Sequence, residues 1–174
     1  MEAAKVEDYD AIVIACYSDP GIVGAKELCD IPVVGIAEAA MHAVCMLGSK
    51  FTVLTTSKGL RPSKEAYVFA DGLGSRLASV RAVGVNVVET THDPGGTKAA
   101  VMSVARAAID EDGAEVITLG CAGMVGYAKQ LEAKLGVPVL DPSAVAIKLA
   151  EAMVDLGLKP SKIGLFAQPP QLCC

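Results

Sequence analysis

The sequence has no tryptophan, and aromatic residues make up only 4% of it. Hydrophobic residues nevertheless account for 52% of the 174 positions, so the apolar content is mainly alanine, valine, isoleucine and leucine. This composition is typical of helices packed on parallel strands that are buried on both faces. The length allows one large domain or two small ones with a sizeable hydrophobic core.

Clusters of basic residues and long apolar runs are also missing. The net charge is −5, which, without a lysine or arginine cluster, argues against a nucleic-acid partner. No stretch reaches the roughly 18 uninterrupted apolar residues of a membrane span. The opening MEAAKVEDYD is acidic, whereas a signal peptide is first basic and then apolar. We therefore expect a cytoplasmic protein without a membrane partner.

The cysteines do not suggest a disulfide framework, although their number is even. Most of them fall in strand-like or helical patterns without a secretory context, so we expect reduced thiols. Cys29 and Cys45 lie in predicted helices and are interpreted as core or surface thiols. Cys173 and Cys174 lie in a PPQLCC tail to which we assign no site.

Strand-like apolar runs alternate with helical patterns along the chain, which predicts an α/β fold with parallel sheets. The stretch 76–84 fits either type and is interpreted as a strand. The predicted strands are 11–16, 32–36, 51–56, 76–84, 85–89, 115–120, 137–140 and 163–166. The predicted helices are 21–29, 37–47, 63–71, 96–111, 123–135 and 143–156.

An internal repeat relates two parts of the chain. When DAIVIACYSDPG is aligned with AEVITLGCAGMVG, Cys16 coincides with Cys121. The repeat predicts two pseudo-symmetric α/β halves, residues 1–50 with 142–174 and residues 51–141, with the active site in the cleft between them. The second unit has a strand like FTVLTT, a helix and a further strand before its cysteine. The first unit lacks them, so we expect the first half to be incomplete.

Each of the two matching cysteines follows a predicted parallel strand, at the end where α/β sheets bind ligands. Asp19 is expected to cap the helix after Cys16, with Pro20 at its first position. Backbone N–H groups and the helix dipole at such a position favour the thiolate. A single cysteine there is more often a small core residue, but two at equivalent positions favour catalysis.

Two pseudo-symmetric halves would present Cys16 and Cys121 to opposite faces of one carbon. One thiolate would remove a proton and the other thiol would return one, with the roles reversed for the opposite enantiomer. Backbone amides at the strand ends would stabilise an enolate oxygen. This chemistry needs neither pyridoxal phosphate nor a metal, so we expect no cofactor and assign no metal ligands.

Five segments carry a family resemblance: VIACYSDPG, PVVGIAEAA, FTVLTT, EDGAEVITLGCAGM and GVPVLD. They resemble the hydantoin/allantoin racemase branch of the aspartate/glutamate racemase superfamily over nearly the whole chain. The resemblance implies two Rossmann-like halves with parallel sheets, and a cofactor-independent two-cysteine mechanism acting on 5-substituted hydantoins or allantoin. It implies Cys16 and Cys121 as the catalytic pair, and Thr55 and Thr56 as substrate contacts. The family's opening strand, which ends in an Asn-Pro-Asn-Thr-like loop, has no counterpart in this sequence.

The residues after each cysteine bear on the substrate. Amino-acid racemases of the superfamily tend to carry Asn-Thr and Thr-Glu at these places, whereas this chain has Tyr17 with Ser18 and Ala122 with Gly123. We expect these four residues to line the substrate site. Their small or neutral character suits a neutral ring with amide groups better than a free amino acid.

Other functions stay open alongside this one. A related two-cysteine isomerase such as maleate isomerase, or an aspartate or glutamate racemase, would keep the fold and change the substrate. Arylmalonate decarboxylation needs only one cysteine, so the pair disfavours it. A truncated, inactive remnant that only binds small molecules or self-associates is an alternative of another class. In the leading interpretation the partner is a small hydantoin-like molecule, and we expect the protein to form homo-oligomers.

Overall fold

Six short strands and six helices alternate in the part of the chain that the computed structural model describes, residues 8–85, 92 and 94–168. The strands are β1 (Ile12–Ile14), β2 (Val33–Gly35), β3 (Phe51–Thr55), β4 (Leu77–Ala82), β5 (Val116–Leu119) and β6 (Val139–Leu140). The helices are α1 (Ile22–Leu28), α2 (Ile36–Val44), α3 (Arg61–Ala70), α4 (Pro94–Asp112), α5 (Ala128–Leu135) and α6 (Pro142–Asp155). Within these residues, no helix is both long enough and apolar enough to cross a membrane.

The strands pair in parallel, as their alternation with helices predicts. β1 pairs with β2 in one sheet, and a second sheet has the order β4-β3-β5-β6. Every residue of β3 and β5 is buried. Their largely apolar sequences fit this position, because a parallel sheet is covered on both faces. The fold is therefore α/β.

β3 and β5 approach each other so closely at their carboxyl ends that the chain needs a glycine there. The N–H of Gly120 donates to the carbonyl oxygen of Leu54 over 2.8 Å, and a Cβ on Gly120 would lie 2.7 Å from the same oxygen. Any side chain would therefore force the two strands apart. The glycine places the next residue, Cys121, beside the end of β3.

One hydrophobic core connects the two sheets. It includes Val34 of β2, Phe51 of β3 and Ala146 of α6. α6 packs on α2, β1 and β2, so the last helix covers the sheet that the first described residues form. The placement of the strands in both sheets therefore depends on this one core.

The prediction of a strand at 163–166 is wrong. Ile163 and Leu165 are 89% and 71% exposed, so these apolar residues have no covering layer. Gly164 has a φ of +82°, which does not occur in an extended strand. The segment forms bends and a turn instead, and the Nζ of Lys162 fastens it by donating to carbonyl oxygens around the end of α1.

Two other predicted elements differ in their bounds. The predicted helix 123–135 divides into a single 3₁₀ turn at Ala122–Met124 and α5, because Gly126 interrupts the helix with a φ of +80°. Val85 lies outside any strand, and the rest of the predicted strand 85–89 lies outside the described residues. The ambiguous stretch 76–84 contains β4, as interpreted.

Candidate active site

Cys16 and Cys121 each lie two residues beyond a parallel strand. Cys16 follows β1 in a tight turn, in which the N–H of Asp19 donates to the Cys16 carbonyl oxygen over 2.9 Å, and Cys16 is exposed. Cys121 follows β5 and is half-buried. Its Sγ accepts the backbone N–H of Gly123 over 3.4 Å. Both thiols therefore lie at the carboxyl end of a parallel strand, where α/β sheets bind ligands.

The loop that carries Cys16 contacts the strand that leads to Cys121. The hydroxyl of Tyr17, the residue after Cys16, donates to Thr118 Oγ1 in β5 over 3.4 Å. Ala122, the residue after Cys121, packs against the hydrophobic cluster that contains Tyr17. The residues after Cys16 therefore lie beside β5, and the expected cleft between two halves that presents both cysteines to one carbon stays a prediction.

Cys29 and Cys45 lie in other parts of the fold. Cys29 is 4% exposed and packs with Ala25 and Val33, and the thiol of Cys45 donates to the carbonyl oxygen of Met41 over 3.2 Å. Both are free thiols, like Cys16 and Cys121. Their interpretation as core or surface thiols agrees with this placement. Cys173 and Cys174 lie outside the described residues.

Thr55 and Thr56 are buried at the carboxyl end of β3, between β4 and β5. The carbonyl oxygen of Thr56 accepts the N–H groups of Gly84 and Val85. Thr55 Oγ1 has no hydrogen-bond partner among the described residues. A buried hydroxyl without a partner costs about 1–3 kcal/mol, which makes such a group at a strand end suited to a hydrogen bond with a ligand.

The four predicted neighbours of the cysteines differ in where their side chains lie. Tyr17 is 3% exposed and belongs to the core, and burial raises the pKa of its phenol above the ordinary range. Ser18 is exposed, and Ala122 and Gly123 are half-buried in the turn after Cys121. The last three are therefore accessible beside the cysteines, whereas the phenol of Tyr17 is not.

The prediction that Asp19 caps the helix following it is wrong. Gly21, with a φ of +73°, is the N-cap of α1, so Pro20 lies before the helix and not at its first position, and no side chain among the described residues caps it. The Asp19 carboxylate instead accepts the N–H groups of Ala37 and Glu38, over 3.1 and 2.8 Å, at the start of α2. It also accepts the hydroxyl of Tyr67 over 2.7 Å. The physical reason is that Asp19 has a φ of +40°, which turns its buried side chain toward α2.

Lys64 is a residue of this region that the sequence interpretation missed. It lies on α3, is only 5% exposed, and its Nζ donates to the Tyr17 carbonyl oxygen over 2.5 Å and to Ser18 Oγ over 2.8 Å. Burial lowers the pKa of Lys64, and the charges of both cysteines and of a nearby carboxylate act to raise it. The available signal was spacing: Lys64 and Val68 are the buried residues of α3, four positions apart on one helix face.

Comparison with known proteins gives consistent similarities. The family model described as Asp/Glu/hydantoin racemase matches residues 1–150. The chain is 41% identical over 162 residues to the hydantoin racemase of Paenarthrobacter aurescens, which covers 93% of this chain and 69% of that protein.

Two solved structures are similar over nearly all of the chain. The allantoin racemase from Pseudomonas fluorescens superposes with a TM-score of 0.91 at 42% identity, covering 94% of this chain and 70% of that one. The allantoin racemase from Klebsiella pneumoniae superposes with a TM-score of 0.93 at 36% identity, covering 97% of this chain and 69% of that one.

Proposed function

The chain belongs to the Asp/Glu/hydantoin racemase family, in its hydantoin/allantoin racemase branch, and from this premise we propose that it racemises 5-substituted hydantoins or allantoin with the thiols of Cys16 and Cys121. Membership makes it an enzyme of the racemase and isomerase class. The single observation that supports the finer proposal is the pair of free thiols, each two residues beyond a parallel strand, with the loop of the first in contact with the strand before the second.

In the proposed reaction, a thiolate removes the proton on the stereogenic ring carbon and becomes a thiol. The electron pair of the C–H bond moves into the ring as an enolate, which is planar at that carbon. The second cysteine, a thiol in this state, then delivers its proton to the opposite face and becomes a thiolate. The net result is inversion with no change in the number of protons, and the reverse reaction exchanges the roles of the two cysteines.

Neutral donors near the cysteines support a substrate with amide groups. Ser18, exposed beside Cys16, carries one such hydroxyl. The hydroxyl of Thr55 lacks a partner among the described residues but is 0% exposed, so the end of β3 would have to open before it reached a ring carbonyl oxygen. The backbone N–H of Gly123 lies beside Cys121 and donates to its sulfur over 3.4 Å. In the proposed reaction it exchanges this long bond for one to the oxygen that becomes negative as the enolate forms. Ser18, Ala122 and Gly123 supply no charge of their own.

The test is the racemisation rate of single enantiomers of a 5-substituted hydantoin and of allantoin, followed by optical rotation against a blank without protein. Cys16→Ser and Cys121→Ser should each reduce kcat/KM by at least ~10³-fold, because a hydroxyl is a far weaker base than a thiolate at neutral pH. Cys45→Ser is the matched control and should keep the wild-type rate.

The same assay separates the alternatives. Racemisation of aspartate or glutamate, or isomerisation of maleate, in place of the hydantoins would contradict the proposed substrate and keep the cysteine pair. A folded wild-type protein that converts none of these compounds would contradict the proposal and favour a protein that only binds small molecules. Equal loss of rate in Cys45→Ser would contradict the assignment of the two cysteines.

A further inference from the structure

Lys64 carries a positive charge into a place where a lysine is normally not found. Its side chain is 5% exposed, and a buried ammonium group is unfavourable unless other groups compensate it. Burial indeed lowers the pKa of Lys64. The hydrogen-bond acceptors and charges around the ammonium group must therefore compensate for its burial.

The contacts of Lys64 are concentrated on the two residues that follow Cys16. Its Nζ donates to the Tyr17 carbonyl oxygen over 2.5 Å and to Ser18 Oγ over 2.8 Å, and it lies 5.3 Å from the centre of the Tyr17 ring. These contacts tie α3, which packs on β3 and β4, to the loop after β1. They fix the backbone that presents the first cysteine.

None of these contacts neutralises the charge. Within the described part of the chain, no carboxylate lies within 4.0 Å of Lys64 Nζ. The groups whose charges act on it are Cys16, Asp19 and Cys121. Asp19 already accepts two N–H groups of α2 and the hydroxyl of Tyr67, so its charge is largely satisfied elsewhere.

The other groups whose charges would act on Lys64 are the thiols of Cys16 and Cys121, when they are ionised. Cys121 Sγ accepts one backbone N–H, and Cys16 is exposed. A positive charge held beside the Cys16 loop is suited to balance a thiolate when one forms in the proposed reaction. A single cation that acts on both sulfurs stabilises one negative charge on either of them.

We propose that Lys64 is a positioning residue that holds the Cys16 loop and supplies the positive charge by which the two cysteines share one thiolate. Its catalytic consequence rests on the proposed racemase function. Because Lys64 acts on both cysteines, the charge can move from one sulfur to the other during turnover without losing its counter-ion. Its removal should therefore slow the reaction in both directions.

The first test measures thiolate content and needs no substrate. Iodoacetamide reacts with thiolates, so the alkylation rates of Cys16 and Cys121, resolved by peptide mass spectrometry from pH 6 to pH 10, report how much thiolate each carries. Lys64→Met and Lys64→Gln, which remove the charge, should lower both rates at pH 7 by about 3- to 10-fold. Lys64→Arg, which keeps the charge, should stay close to the wild type.

Lys98→Met is the matched control, because Lys98 Nζ lies 5.0 Å from the ring centre of Tyr127 on another face of the molecule. It should leave both alkylation profiles unchanged. Lys64→Gln keeps a hydrogen-bond donor for Ser18. If Lys64→Met does not fold, the alkylation rates of Lys64→Gln provide the test. Folded neutral variants with wild-type alkylation profiles would overturn the proposal.

The second test uses the pH dependence of catalysis. If the proposed racemisation is found, Lys64→Met should lower kcat/KM more at pH 7 than at pH 9, because a higher pH restores the thiolate that the lysine no longer stabilises. A loss of equal size at both pH values would mean a purely structural role and would overturn the proposal. If the wild type racemises nothing, the proposed function fails, and the alkylation test still decides the role of Lys64.

Discussion

Two carboxylates near α3, the buried Asp19 and the half-buried Asp71, differ in their hydrogen-bond partners. Asp19 accepts hydrogen bonds from two backbone N–H groups and one hydroxyl. Asp71 lies at the C-cap of α3, where the helix dipole is unfavourable for an anion, and its Oδ2 is buried without a partner among the described residues. Burial first, and then the nearby charges of Glu38 and Asp19, raise the pKa of Asp71, against an opposing effect of His42.

Asp71→Asn should therefore stabilise the protein at pH 7. The pKa of Asp71 is raised in the folded state above its value in the unfolded chain, which is about 4. The free energy of unfolding of the wild type therefore falls as the pH rises from the unfolded-state pKa through the folded-state pKa, and it stays reduced at higher pH. The asparagine variant has no such penalty. Its Tm should exceed that of the wild type at pH 7, and the difference should shrink as the pH falls toward 4.

Thermal unfolding followed by circular dichroism at pH 4, 5.5 and 7 measures this effect. Asp155→Asn, which changes an exposed carboxylate at the end of α6, is the control and should change the Tm little. A Tm of Asp71→Asn equal to that of the wild type at pH 7, or a gain that persists undiminished at pH 4, would contradict the prediction.

At the level of helices and strands, some parts of the fold are determined by the local sequence and others by contacts between distant segments. The alternation of apolar strands and helical periods predicts the parallel sheets, because burial on both faces dictates the residue types. A distant cap leaves no such local signal: Asp19 binds the start of α2 through contacts that form only when the chain has folded. The strand predicted at 163–166 fails for a related reason, since an apolar run forms a strand only where another strand pairs with it.

Gly35→Ala should destabilise the start of α2. A Cβ on Gly35 would lie 2.2 Å from the Asp19 carboxylate, so the carboxylate must leave its place on α2 or the helix must shift. Overpacking of this kind costs about 1–3 kcal/mol. Gly59→Ala is the control, because a Cβ there meets no atom within 4 Å.

Urea unfolding of both variants measures the free energy of unfolding. Gly35→Ala should be less stable than the wild type by the amount stated, with Gly59→Ala close to the wild type or slightly above it. Equal free energies for the two alanine variants would show that Asp19 does not occupy the position next to Gly35.

At the level of the whole molecule, the sequence predicts the location of the cysteines better than their surroundings. Each follows a strand as the repeat predicts, because strand ends can be read from apolar patterns. The burial of Lys64 against the Cys16 loop depends on packing between parts of the chain far apart in sequence, so spacing gives only a weak signal. The division into residues 1–50 with 142–174 and 51–141 stays a prediction, as does the expected homo-oligomer.

The measurement that tests the two-cysteine mechanism most directly is proton NMR in heavy water. Each enantiomer of a 5-substituted hydantoin is incubated with the wild type, Cys16→Ser or Cys121→Ser, at a pH where spontaneous exchange is slow, and the proton on the stereogenic carbon is followed. The wild type should exchange this proton in both enantiomers and invert the carbon.

Each single-cysteine variant should exchange the proton of one enantiomer only, without inversion, and the two variants should act on opposite enantiomers, because one base remains on each face. Exchange of both enantiomers by one variant, or wild-type inversion that survives either substitution, would contradict a mechanism in which Cys16 and Cys121 serve opposite faces of the same carbon.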